Sequence, residues 1–236
     1  MQIQNAVAFV SGSNRGLGAA IVRALKARGV TKIYAATRSG MTVHEDTIPV
    51  QLDITDGAQV RAAAALAQDT TLVFNNAGIN NYAPFVGLSD DALVRMEMEV
   101  NYFGMLKMCQ SFAPVLALNG GGALVNITSI MGRAAIPVCG GASASKAAAV
   151  SLTQSVRAQL AKQGTQVYMV APGALDTDMS ANFPGEKADP FVVANFILDS
   201  IESDQEDIYP DEMSKAYAAL LLSDPKSLER QLSAFV

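Results

Sequence analysis

The stretch Val10-Ser11-Gly12-Ser13-Asn14-Arg15-Gly16-Leu17-Gly18-Ala19-Ala20 decides the fold. An apolar run over residues 6–11 ends in it. A helical pattern leaves it, with Leu17, Ile21, Val22 and Leu25 recurring on one face of residues 17–27. Between them, Gly12 permits a tight turn, Gly16 lets backbone approach a phosphate closely, and Gly18 permits close packing of helix on strand. A helix that opens on such a turn presents free N–H groups and a partial positive charge to an anion. Ser13, Asn14, Arg15 and Leu17 complete that cradle.

Outward from this turn, strand-like and helix-like segments alternate. Strands are predicted at 32–37, 48–52, 72–74, 123–127, 166–170 and 208–209. Helices are predicted at 17–27, 58–67, 90–118 with a kink near Pro114, 143–162, 191–201 and 212–222. Short apolar runs alternating with helices imply a buried parallel sheet. The expected fold class is α/β: a single-domain, Rossmann-like, doubly wound parallel sheet of about seven strands with helices on both faces. Residues 38–46 are too few for a full covering helix, so one crossover is trimmed. Residues 119–122, Asn-Gly-Gly-Gly, read as a turn, leaving residues 1–236 as one domain.

The bulk chemistry excludes several functions. The chain has 236 residues, half of them hydrophobic and 17% charged, and a mean hydropathy of +0.22. The net charge is −5, and no basic run appears, which argues against nucleic acid as a partner. Two cysteines and a lone histidine, His44, cannot build an ordinary zinc site, a disulfide framework or a credible hydrolase triad, so no metal site is expected. His44 reads as a surface loop residue. No leader-like amino terminus and no apolar run of membrane-spanning length is present. The expectation is a cytoplasmic protein with no membrane partner.

Further motifs follow in order. Asn75-Asn76-Ala77-Gly78 closes the fourth strand, Asn101 lies in a long helix, and Ser129 follows the fifth strand. Lys146 opens the next helix, Pro172-Gly173 follows the sixth strand, and Thr177 comes soon after. With the Gly-x3-Gly-x-Gly turn, this order resembles the short-chain dehydrogenase/reductase family, of the NADP-dependent carbonyl reductase or alcohol dehydrogenase type. The resemblance implies a nicotinamide dinucleotide bound along the glycine turn, Asp53 and Ile54, Asn75, Ala77, Gly78, Thr128, Lys146, Pro172, Gly173 and Thr177. Asp53 would contact the adenine. The end of the second strand chooses between cofactors. An NAD enzyme of this fold usually has an acid there. Here the segment is Ile33-Tyr34-Ala35-Ala36-Thr37-Arg38, and Arg38 with Arg15 supplies positive charge for a 2′-phosphate. NADPH or NADP is expected over NADH.

In the family that this chain resembles, a tyrosine hydroxyl transfers the proton, and a lysine four residues later lowers its pKa and holds the nicotinamide ribose. A serine binds the substrate oxygen and an asparagine holds a relaying water. Positions i and i+4 share a helix face. This chain reads Gly140-Gly141-Ala142-Ser143-Ala144-Ser145-Lys146, so Ala142 stands where the tyrosine belongs. Asn101, Ser129 and Lys146 remain, and no neighbouring tyrosine shifts into register. Alanine should leave a cavity there that admits water. Three readings stay open: a reductase silenced by substitution of its tyrosine, an enzyme with another proton donor, and a non-catalytic NADP(H)-binding sensor or scaffold.

The expected substrate is a small carbonyl compound or its alcohol. Residues 178–190 should fold over it, with Phe85, Met131, Val138 and Phe183 lining an apolar pocket. Cys139 reads as an ordinary loop residue, because nothing nearby activates it. Met96, Met98, Met105 and Met108 read as core or subunit interface. The resemblance implies a homodimer or homotetramer, built through the helices around Asn101 and Lys146, where Ala147-Ala148-Ala149 would permit close packing.

Overall fold

The computed structural model describes residues 1–41 and 44–235. Seven strands form one parallel sheet: β1 (Val7–Ser11), β2 (Lys32–Thr37), β3 (Ile48–Gln51), β4 (Leu72–Asn75), β5 (Ala123–Ile127), β6 (Gln166–Val170) and β7 (Asp207–Ile208). Their spatial order is β3-β2-β1-β4-β5-β6-β7. The helices are α1 (Gly16–Ala27), α2 (Gly57–Leu66), α3 (Ala92–Met98), α4 (Met105–Leu118), α5 (Gly140–Leu160), α6 (Pro190–Glu202), α7 (Glu212–Ser223) and α8 (Pro225–Leu232).

Strand alternation divides the core in two. In β1, Ala8 and Val10 join Ile21 and Leu25 of α1 and Val193 and Ile197 of α6 on one face. Phe9 points the other way, among Val60 of α2, Met108 and Phe112 of α4 and Leu152 of α5. Arg28 ties α1 to α6 with carboxylate contacts of 2.7 Å to Asp199 and 3.0 Å to Glu202. β1 and β4 are neighbours, but the chain leaves them toward opposite edges of the sheet. That reversal opens a crevice beyond their carboxyl ends, and such a crevice is where this architecture places ligands.

The elements depart from the sequence reading at identifiable points. Helix 90–118 is broken at a π-helical turn, Glu99–Gly104, while α4 runs through Pro114. The wider turn carries Asn101, and π-turns commonly mark functional positions. α5 starts at Gly140, ahead of the predicted Ser143. A Cβ at Gly141 would lie 2.2 Å from Glu97 Oε2, so packing sets that helix start against the low helical propensity of glycine. α8 was absent from the sequence reading. Its signals are present: Asp224 accepts the Ser227 N–H at 2.9 Å, Pro225 opens the helix, and Leu228 and Leu232 are buried one turn apart. Among the described residues no helix joins β2 to β3, as the trimmed crossover predicted.

The fully buried Phe112 meets Phe9 with ring centroids 4.6 Å apart, joining α4 to the middle of the sheet. Phe112→Ala should cost about 3–5 kcal/mol of unfolding free energy, measured by chemical denaturation.

Candidate active site

One cleft runs across the carboxyl ends of the strands. At one end it is lined by Gly12, Asn14, Arg15, Gly16, Leu17, Gly18, Arg38, Asp53, Ile54, Ala77 and Gly78. At the other end stand Thr128, Ser129, Ala142, Lys146, Pro172 and Gly173, while Thr177 lies against Gly16 of the glycine turn. Three sequence candidates lie behind this surface. Ser13 is buried, and its hydroxyl donates to the Ala36 carbonyl at 3.3 Å. Asn75 is buried and donates to Asn126 Oδ1 at 2.8 Å across β4 and β5. Asn101 is buried beneath the cleft floor.

Asn76 escaped the sequence reading as an individual residue. Its Nδ2 donates to the carbonyls of Ser11 at 2.9 Å and Gly12 at 3.1 Å, pinning the glycine turn to the end of β4. The Ser11 hydroxyl donates to the Phe74 carbonyl and accepts the N–H groups of Asn76 and Ala77. Only glycine fits at position 18, where a Cβ would lie 2.1 Å from the Gly12 carbonyl oxygen. α1 therefore starts hard against the turn. Among the described residues no side chain caps its first N–H groups, and its first turn holds no acid. An uncapped helix start of this kind suits a phosphate.

Positive charge gathers at this end, with Arg15 and Arg38 on the cleft wall. Arg15 lies 3.5 Å from Asp178 across the opening, an exposed pair of little strength. Asp53 Oδ1 accepts the backbone N–H and the hydroxyl of Thr55, so this carboxylate also builds the turn before α2. His44 is tied to the glycine turn: its Nε2 lies 2.9 Å from the Ser13 carbonyl oxygen.

At the other end, Lys146 Nζ donates to the Ile127 carbonyl at 2.8 Å. Burial of the ammonium lowers its pKa to about 8. The Ser129 hydroxyl donates to the Pro172 carbonyl at 3.2 Å and accepts the Met131 N–H. Asn101 accepts the Ile79 N–H at 2.9 Å and donates to the Ile79 carbonyl and the Ser145 hydroxyl. Its amide clamps the loop after β4 to α5. Ala142 belongs to the cleft wall, yet it is only 1% exposed. Neighbouring atoms cover most of that alanine.

Met131, Val138 and Phe183 line the cleft, whereas Phe85 lies outside it, 63% exposed. Cys139 is buried at the start of α5, its sulfur 3.4 Å from Asn80 Nδ2, and burial raises its thiol pKa. That keeps the thiol protonated and poorly nucleophilic. Met105 and Met108 are core residues, while the half-exposed Met96 and neighbouring Met98 line the cleft mouth. Glu97 is buried. Its Oε1 accepts the Asn81 N–H at 2.6 Å, and burial raises its pKa. Tyr82 and Phe235 also line the cleft, and neither was foreseen.

The doubly wound sheet, the uncapped glycine turn and the Ser129–Lys146 end define a dinucleotide-fold oxidoreductase. Residues 6–188 match the short chain dehydrogenase family. The chain belongs to that family, whose members act on alcohol and carbonyl groups. A short chain dehydrogenase from Burkholderia cenocepacia J2315, solved in complex with NADP, is 41% identical, with 98% of this chain and 99% of that chain covered at a TM-score of 0.93. Galactitol 2-dehydrogenase of Agrobacterium fabrum is 31% identical over 79% of this chain and 81% of its own length. The 3-alpha-(or 20-beta)-hydroxysteroid dehydrogenase of Mycobacterium bovis is 31% identical over 81% and 80%. No helix among the described residues is long and apolar enough to cross a membrane.

A lysine whose pKa is lowered by folding costs stability wherever both states hold the proton. For Lys146 that cost is full below about 8 and is relieved as pH rises toward its ordinary 10.5, because the folded state releases the proton first. In the ligand-free protein, Lys146→Met should gain stability relative to the unmodified chain at neutral pH. Denaturation curves should show that advantage shrinking between those two values.

Proposed function

We propose that this chain is an NADP(H)-dependent oxidoreductase interconverting a ketone or aldehyde with an alcohol, its turnover held down by Ala142. One observation carries the reading: Ser129, Lys146 and Ala142 share a cleft with Arg15, Arg38 and an uncapped helix start. The residues fit the dinucleotide. The α1 N–H groups and the glycine turn would hold the pyrophosphate, Arg38 and Arg15 the 2′-phosphate, and Asp53 and Ile54 the adenine side. Ala77, Gly78, Thr128, Pro172, Gly173 and Thr177 would flank the remainder, and Lys146 the nicotinamide ribose. Ser13 and Asn75 would act from behind, by supporting strand ends. When bound, the nicotinamide supplies or takes up the hydride. The Ser129 hydroxyl would orient the substrate oxygen. Lys146 would hold positive charge beside it, and Asn101 would keep the Ile79 loop against α5. At position 142 the chain has no hydroxyl to give or take a proton.

Residues 1–236 would act as one unit carrying both cofactor and substrate ends. A second copy is the expected partner, as a homodimer or homotetramer through α4 and α5. The exposed Phe103 and Leu118 on and beside α4 support such an interface. A cytoplasmic setting suits the two free cysteines.

A second reading, a non-catalytic NADP(H)-binding sensor or scaffold, draws support from the buried Ala142. Ala142→Tyr separates the two. On the enzyme reading, carbonyl reduction followed by NADPH absorbance rises at least about tenfold, a floor set below the roughly 10²–10⁴-fold contribution of general acid–base groups. No gain on any carbonyl, with NADPH still bound, would favour the sensor. Cofactor choice has its own test. Arg38→Ala should weaken NADPH about ten- to a hundredfold in a fluorescence titration and leave NADH within about twofold. Equal affinity of the unmodified chain for NADH and NADPH would overturn the preference.

A further inference from the structure

The end of the chain returns to the substrate end of the cleft. Leu228 and Leu232 bury α8 in the body of the protein. The following turn is closed by Phe235 N–H donating to the Leu232 carbonyl at 3.0 Å. The Phe235 carbonyl then accepts the Val138 N–H at 3.0 Å. Its ring stacks on Phe183, with centroids 6.0 Å apart and planes inclined by 24°. Both rings line the cleft. Phe183 belongs to the segment after Thr177, and Tyr82 holds that segment near its start by donating to the Met179 carbonyl at 3.0 Å. The segment is thus fastened at two places, by a hydrogen bond at Met179 and by a ring stack at Phe183.

The wall beside this stack carries no charge and is largely apolar. From residues 127–139 and 179–184, the cleft receives Ile130, Met131, Ile136 and Val138, with Ser180 and Asn182 as polar members near the stack and Thr128 and Ser129 toward the reacting end. Met213 adds a further apolar surface. A flat ring entering here meets faces and edges of the kind aromatic groups favour. A polyhydroxylated substrate would give up hydrogen bonds to water against the apolar members of this wall. The reacting oxygen needs only the Ser129 and Lys146 end.

We propose that Phe183 and Phe235 form an aromatic latch, closing the substrate end of the cleft and selecting carbonyl compounds that carry a flat apolar ring over polyhydroxylated ones. The last turn of the chain is then a specificity element of its own active site. This inference rests on the oxidoreductase reading and deepens it, because it names the substrate class.

The experiment measures binding, so the missing phenol at position 142 does not interfere. Protein saturated with NADPH is titrated with 1-tetralone, a flat bicyclic ketone, and with fructose, a polyhydroxylated one. The latch requires tetralone to bind at least about tenfold more tightly than fructose. Phe235→Ala should weaken tetralone about five- to tenfold and leave NADPH affinity within about twofold, the mark of a folded cofactor end. Phe235→Leu, which keeps apolar bulk, should fall between. Phe183→Ala added to Phe235→Ala should cost less than the two separate losses combined, because the rings act as a pair. Unchanged tetralone affinity in the variants, or fructose binding as tightly as tetralone, overturns the latch and leaves the cofactor reading standing. Failure of the unmodified chain to bind NADPH overturns both.

Discussion

Five hydrogen bonds hold the carboxyl ends of β1 and β4 together, and the ligand-facing half of the protein depends on them. Ser11 contributes its hydroxyl to three, and the Asn76 amide makes the other two. Two strands whose connections run in opposite directions would otherwise splay at the sheet's reversal point. Pinning them there fixes the glycine turn, which fixes the start of α1. The close contact at Gly18 leaves that start no freedom to retreat. The direction of the first N–H groups of α1 follows from these bonds, as the proposed role in holding a phosphate requires.

The opposite end of the cleft is organised by a different balance. Lys146 is held at the Ile127 carbonyl with its charge made costly by burial. Asn101 spends its amide on Ile79 and Ser145, coupling the loop after β4 to α5. Asn101 lies within the π-turn at Glu99–Gly104. A polar set is thereby assembled, and its position 142 carries only a methyl group. Little of that alanine is exposed, and it forms part of the cleft wall.

Much of the architecture was legible in the chain. The strands matched their predicted segments to within one or two residues, because apolar runs with turn residues at their ends have few other uses. The glycine turn, Arg38, Ser129 and Lys146 could be placed on a shared cleft through the family that their order resembles. Other features were not legible for physical reasons. α8 had its signals in Asp224, Pro225, Leu228 and Leu232, but a short amphipathic helix near a terminus gives a weak pattern. The early start of α5 runs against glycine propensity and is set by Glu97 and Phe85 packed beside it. Asn76 is one asparagine beside another, and only the direction of its side chain distinguishes it from the buried Asn75. His44 is a loop residue as read, but its contact with Ser13 was not legible.

The sequence by itself determined the order of elements, the two-sided burial of the sheet, the location of the glycine turn and the alanine at position 142. These follow from local periodicity and from residue types at short spacing, where neighbouring residues carry the whole signal. The tertiary structure alone decided which side chains reach the cleft. It sent Ser13, Asn75 and Asn101 behind the surface, left Phe85 outside, and brought Tyr82 and Phe235 to the wall. Phe183 and Phe235, Tyr82 and Met179, and Val138 and Phe235 are distant in sequence. Such contacts exist only after the sheet and helices have packed, and no local pattern in the chain encodes them.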